Sequence, residues 1–392
     1  AIFPTLIVKA TRSSGFRFEV KALFWGFVAW ATLTTSLVLV RNSDMPDLAE
    51  HQTFLGLLKI AKFTAYALPG YFLARCLHTP EDVRAAAKWL AVGAIVAAVG
   101  IFHTVVAKLT FETFLVRKGL FPFKAINVIS VAVGALGVFL AAMPDEKNRG
   151  LSRRFRYVLV AALLTATFLT GGRAGWLAAG AGFAYLIAAP GGRRAYAATA
   201  LFVLLAGLVI TLVPFVRNAA LLVVGVEGPG GLGRAMLYDD ARLMTWTHEI
   251  VKFVDFPIAG AGFFNRGPLS SLWTTGSHNF FIQMLLETGI VGLLLLGALC
   301  YHLWRSTPVK PNTGPPVWSR GYNLAFRGAL VAVLAASMTG EYLYGCQVLS
   351  ALSLLYGLAV GASRVARETA VSAEARAEGL ATPIAPVTEG TR

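Results

Sequence analysis

His278 and Asn279 lie in the stretch Gly-Ser-His-Asn-Phe-Phe-Ile-Gln-Met-Leu-Leu-Glu-Thr-Gly, residues 276–289, where a polar segment gives way to an apolar run. With Ser277 as the expected cap, His278 falls in the first turn of a helix, at the positive end of its dipole. That position disfavours imidazolium and keeps a neutral base near pH 7, which is the condition for general base catalysis. A histidine hydrogen-bonded to a loop carbonyl would need the same position and do no chemistry. Arg173 sits in Thr-Gly-Gly-Arg-Ala-Gly-Trp, read as a tight turn between two apolar runs, and Arg242 follows Asp239 and Asp240 at the start of an amphipathic stretch. Guanidinium groups hold phosphate in a bidentate grip, and two of them near a neutral imidazole suit a reaction that expels a polyphosphate. Snorkelling of Arg173 and a salt bridge from Arg242 to Asp239 are the structural alternatives.

Weaker candidates surround these three. Lys59 and Lys62 lie inside an otherwise apolar run, where a cation is costly unless it faces a polar cavity or snorkels. Lys124, with Lys108, Arg117 and Lys118, forms a basic group on the side expected to be poor in positive charge. Asn279, Gln283 and Glu287 follow one another at helical spacing, and we expect a structural network from this stripe, with Gly289 and Gly292 permitting close helix contact. Glu341, in a short turn, can orient His278 or an acceptor. Paired acidic residues that would hold a cation are missing from the same side, since Asp239 and Asp240 are adjacent and Arg242 follows at once. A metal-free mechanism with cationic side chains is therefore expected, with no cofactor.

These residues must be positioned by a membrane protein. The 392 residues are 56% hydrophobic and only 14% charged, with a mean hydropathy of +0.64, far too apolar for an ordinary soluble domain. The net charge of +15 would suggest nucleic acid in a soluble chain. Here the basic residues fall mostly in short clusters between apolar runs, so no nucleic-acid partner is expected and the charge reports topology. Cys76, Cys300 and Cys346 are isolated, without metal-ligand spacing. No Walker motif occurs, which argues against nucleotide-driven pumping.

Apolar runs long enough to span predict about ten transmembrane helices, at 22–40, 53–75, 88–107, 125–142, 157–170, 174–189, 195–216, 278–303, 322–340 and 344–363. Basic clusters around Lys9–Lys21, Arg75–Lys88, Lys147–Arg156, Arg193–Arg194, Arg305–Arg320 and Arg364–Arg367 mark alternate connections as cytoplasmic. His278, Arg173 and Arg242 then share the opposite face. The division expected is amino-terminal spans over 1–216, a long outer loop over 217–277, carboxy-terminal spans over 278–363 and a cytoplasmic tail over 364–392, disordered beyond Arg367. Within the long loop, Leu243, Trp246, Thr247, Ile250 and Val254 predict an amphipathic helix lying at the interface, ended by Pro257 and the Ala-Gly-Ala-Gly run at 259–262.

The segment from Ser277 to Leu294, the Gly-Arg-Ala-Gly-Trp turn, and the long loop opened by an arginine and closed by Gly-Ala-Gly together resemble the O-antigen ligase and polymerase family of bacterial envelope enzymes. The resemblance covers roughly 165–300. It implies an all-α, GT-C-like bundle, usually of twelve spans, with a long periplasmic loop in the inner membrane; an amino terminus continuing upstream of Ala1 would supply the difference. It also implies transfer of a glycan from undecaprenyl pyrophosphate, with His278 as base on the acceptor hydroxyl, Arg173 and Arg242 on the pyrophosphate, and inversion at the anomeric carbon. The expected acceptor is the lipid A core, as in an O-antigen ligase. An O-antigen polymerase, a protein O-oligosaccharyltransferase or a non-enzymatic lipid-linked glycan transporter is the alternative. Membrane lipids complete the expected partners.

Overall fold

The computed structural model describes residues 18–110, 126–144, 152–170, 173–189, 246–263 apart from 248 and 252, 279–309, 317–340 and 342–377. Among these residues the secondary structure is helical, without a strand. The helices are α1 (Phe18–Arg41), α2 (Pro46–Cys76), α3 (Pro80–Thr110), α4 (Ile126–Ala142), α5 (Arg153–Leu169), α6 (Arg173–Ala188), α7 (Phe280–Arg305), α8 (Val317–Ser337) and α9 (Cys346–Ala377), with a 3-10 turn at Tyr342–Tyr344. Each expected span among the described residues has its helix; the expected span at 195–216 lies outside them. Four stretches, Val20–Arg41, Pro80–His103, Phe280–Arg305 and Cys346–Glu374, are long and apolar enough to cross a membrane, and Val128–Ala142 and Ala174–Ala188 are shorter apolar helices.

The helices exceed the expected spans where their ends carry good helix chemistry. Pro46 and Pro80 open α2 and α3, since proline's fixed φ and missing N–H suit the first helical position. At the other end of the chain α9 continues to Ala377, past the point at which disorder was expected. Its Ala-, Glu- and Arg-rich sequence has high helix propensity, which outweighs its polarity.

Packing follows from composition. α4 is apolar on every side and is buried on every side, from Ile129 to Ala141. α5, α6, α8 and α9 pack around it, and α2 lies along α9. At the α2–α9 crossing, Gly70 and Gly357 bring the two backbones together, and a Cβ on either would overlap the other helix's main chain. Ser353 Oγ accepts from the Gly70 amide at 2.8 Å and donates to the Ala67 carbonyl. The serine thus serves backbone groups beside Pro69, inside α2, where a proline breaks the helical ladder. By contrast α1 and α3 leave Trp25, Leu33, Val40, Trp89, Val96 and Val99 exposed along their outer faces. Apolar faces of this extent are what lipid contact requires.

The ends of the helices sort as the charge alternation predicts. At the basic end, Arg364 donates to the Leu77 carbonyl, Arg327 to Trp304 O at 2.8 Å and Arg156 to Pro144 O at 3.1 Å. Asn323 links Pro308 O and Ser363 there, at 2.9 and 3.0 Å. The opposite end gathers the close of α1, the start of α2, residues 256–263, the first half of α7 and the 3-10 turn.

Candidate functional site

At this second end, α7 is interrupted. Gly289 adopts φ 66° and ψ −171°, a combination open in practice only to glycine, so the ladder of the helix breaks between its upper and lower parts. Residues 257–262 fill the break. Ala261 N donates to Leu286 O at 2.7 Å, Gly262 N to Glu287 O at 3.0 Å, and Ile290 N to Pro257 O at 2.9 Å. The backbone groups released by the break are therefore satisfied by the turn, as an apolar setting demands. The fit leaves no room for a side chain: a Cβ on Gly260 (φ 69°) would stand 2.5 Å from backbone atoms of Glu287, Thr288 and Gly289, and one on Gly289 would overlap the Ile258 carbonyl.

α1 and α2 hold this joint from the side. Trp30 Nε1 donates to Thr288 O at 2.8 Å, and the Phe263 amide donates to Thr35 Oγ1 at 3.1 Å. Arg41, the last residue of α1, donates to Gly260 O and stacks on the Phe256 ring, 4.4 Å from its centroid. Gly56 in α2 makes room for the Phe263 carbonyl.

A polar cluster lies beside it. Asn279 caps α7, its side-chain oxygen accepting from Phe281 N at 3.0 Å and Ile282 N at 3.3 Å. The buried Glu287 carboxyl accepts from Gln283 Nε2 on one oxygen and from Tyr344 OH on the other. The Tyr344 ring packs edge-on against Phe263 and Phe280, with centroids 5.5 and 5.2 Å away, and the Lys59 ammonium lies 4.8 Å from its centroid. Three separated segments thus meet on one tyrosine, with a carboxylate fixed beside it and a cation on its ring.

Several expectations change here. The cap of α7 is Asn279 and not Ser277, so the helix starts at Phe280 and His278 precedes the cap instead of lying in the first turn. Asparagine wins because its carboxamide reaches two free amides of the first turn. Arg173 is the first residue of α6 and not part of a turn. Gly289 is the break in α7 and not a site of helix–helix approach, and Gly292 makes room for the Thr288 side chain of its own helix. Lys59 and Lys62 also separate. Lys59 is half-buried on Tyr344, whereas Lys62 is exposed on the outer surface of α2. Of the remaining candidates, Arg242, His278, Lys124 and Glu341 lie outside the described residues.

The start of α6 belongs to the same end of the bundle. Gly175, two residues after Arg173, packs on Ser130 near the start of α4, and Val128 two residues before it packs on Gly345, next to Tyr344. Sequence reasoning missed Tyr344, Trp30 and Arg41. Only Arg41 carried a signal, as a cation at the end of a span on the face that should be poor in positive charge.

The fold and this cluster define a multi-pass helical membrane protein with a buried carboxylate network at the end opposite its basic rim. A family model described as O-antigen ligase matches residues 158–297, roughly a third of the chain, from the second turn of α5 to the lower part of α7. Over that segment the chain is similar to the O-antigen ligase family. No curated protein matches it.

Proposed function

We propose that the protein is an O-antigen ligase, a metal-independent inverting glycosyltransferase of the bacterial inner membrane acting on the periplasmic side. It moves O-antigen polysaccharide from undecaprenyl pyrophosphate to the lipid A core in lipopolysaccharide biosynthesis. The observation that carries the reading is the family match over 158–297, because Arg173, Arg242 and His278 all fall inside it. In the reaction, an acceptor hydroxyl attacks the anomeric carbon opposite the pyrophosphate. His278 takes the hydroxyl proton as the new glycosidic bond forms and the bond to the pyrophosphate oxygen breaks. Arg173 and Arg242 stabilise the charge that develops on the leaving group. The proton then passes to the departing pyrophosphate or to water, which restores the neutral imidazole.

The joint at Gly289 supports this reading. A base at the mouth of α7 has to be held in register with a loop bearing Arg242, and the 257–262 turn fastens that loop's end to the same helix. The cation that Lys59 places beside Tyr344 fits an anionic donor.

The test is His278→Ala, with Arg242→Gln beside it, in a strain lacking the native gene. An enzyme loses glycan on the lipid A core and accumulates long lipid-linked polymer, while photolabelled donor still binds the His278→Ala protein. Full transfer by His278→Ala overturns the mechanism. Products carrying single repeats identify a polymerase, glycan on protein an oligosaccharyltransferase, and donor movement unaffected by the change a transporter.

A further inference from the structure

In the half of the bundle nearer the basic end, α1, α2, α7, α8 and α9 line a partly open cavity of about 230 Å³. Its walls are almost wholly apolar, among them Phe24, Phe63, Leu68, Leu299 and Leu352, and among the described residues that line it there is neither Asp nor Glu. A well-packed interior does not leave such a volume open, and water gains nothing from walls without polar partners.

Positive charge meets the cavity at the end where α1 begins. Lys21 and Tyr71 both line it. The Lys21 ammonium lies 5.7 Å from the centroid of the Tyr71 ring, and the Arg75 guanidinium lies 5.4 Å from the same centroid while donating to Tyr71 OH at 3.2 Å. Two cations thus converge on one phenol at the mouth of an oily chamber. Arg75 Nε is buried and has no hydrogen-bond partner among the described residues. A buried guanidinium N–H without an acceptor is costly, and the groups that satisfy it best are phosphate and carboxylate oxygens.

We propose that this cavity is a binding site for an anionic glycerophospholipid of the cytoplasmic leaflet, with one acyl chain between α1, α2 and α9 and its phosphate between Lys21 and Arg75. Charge complementarity selects the occupant: the chamber accepts a hydrocarbon chain, and its mouth offers two positive charges and a donor N–H. The positive-inside sorting places that mouth in the leaflet where anionic headgroups meet juxtamembrane lysine and arginine. The site is separate from the cluster around Tyr344 and does not depend on the ligase reading.

The full-length protein is reconstituted in phosphatidylcholine vesicles containing a trace of phosphatidylglycerol with a photoactivatable acyl chain, and the adducts are mapped by peptide. Labelling is expected on the α2 and α9 peptides that contain Phe63 and Leu352. Unlabelled phosphatidylglycerol should compete, and phosphatidylcholine should not. K21Q/R75Q should reduce specific labelling about thirty-fold, whereas K21R/R75K should restore most of it, which separates loss of charge from loss of fold. Label spread evenly over the exposed faces of α1 and α3 overturns the proposal, as does undiminished labelling of K21Q/R75Q. Stronger competition by a polyprenyl phosphate than by phosphatidylglycerol assigns the cavity to the isoprenoid and overturns it too. So does a wild-type protein whose cavity peptides stay unlabelled.

Discussion

Replacing Gly289 by alanine tests the joint in α7 directly. Held in place, the alanine must adopt φ 66° and ψ −171°, at about 1–3 kcal/mol. Its methyl group must also be accommodated against the Ile258 carbonyl, at roughly 1–3 kcal/mol more. The central values add to about 4 kcal/mol. The alternative is to release the 257–262 turn, which forfeits the three backbone bonds from Ala261, Gly262 and Ile290, at about 1 kcal/mol each. Both routes cost about 3–4 kcal/mol, so the protein has no inexpensive escape. Gly297 provides the control in the same helix, because nothing lies within 4 Å of its added Cβ. Gly297→Ala should be neutral or stabilising by up to about 1 kcal/mol, through helix propensity alone. The assay is unfolding in mixed micelles at rising fractions of denaturing detergent, with hydrogen exchange at the amides of 261, 262 and 290. Gly289→Ala should unfold earlier and exchange faster at these amides, and Gly260→Ala combined with it should add little, since both break one contact. Equal stability of Gly289→Ala and Gly297→Ala would refute the reasoning.

Three further outcomes follow. Tyr344→Phe removes the hydroxyl that donates to Glu287 and should cost about 1–3 kcal/mol by leaving a buried carboxylate oxygen without that donor; the added change Glu287→Leu should recover part of the loss in the same unfolding assay. Gly70→Ala forces α2 away from α9 where a Cβ would overlap Ser353, so it should lower thermal stability strongly, while Gly93→Ala, in open space on α3, should not. Asn279→Ala removes the cap of α7 and should cost about 1 kcal/mol, with a larger loss of transfer activity than of stability if the backbone beside His278 must be fixed for catalysis.

Most of the architecture could be read from hydropathy, because the bilayer makes span length and charge placement nearly obligatory. α4, α6 and α7 stand where continuous apolar runs predicted them, and the basic rim holds Arg156 and Arg364 as the alternation requires, with Arg327 joining it from inside the span expected at 322–340. Local competition at helix ends was not legible. Ser277 and Asn279 are both good caps, and only the packing of Phe280 against Tyr344 shows which register the chain adopts. The glycines were misread for a related reason. A glycine in an apolar helix has the same one-letter appearance whether it admits a neighbouring helix, as Gly70 does, or abandons helical geometry, as Gly289 does. The partner that decides between these, residues 257–262, lies about thirty positions upstream, and no periodicity connects the two. Tyr344 was invisible because its role depends on Glu287, Lys59, Phe263 and Phe280 arriving from three separate segments. Glu287 itself was legible as a network residue, since a carboxylate in an apolar run needs protein partners wherever it faces.

The splice between the 257–262 turn and the upper part of α7 also bears on how such proteins can be recombined. Each side supplies backbone bonds that the other lacks, and each tolerates only glycine where they touch. A chimaera that imports a foreign loop but keeps the resident helix, or the reverse, would join two halves cut to different patterns. The smallest portable cassette therefore runs from Phe256 through Ile290, and its seat is the pair Trp30 and Arg41 on the first helix.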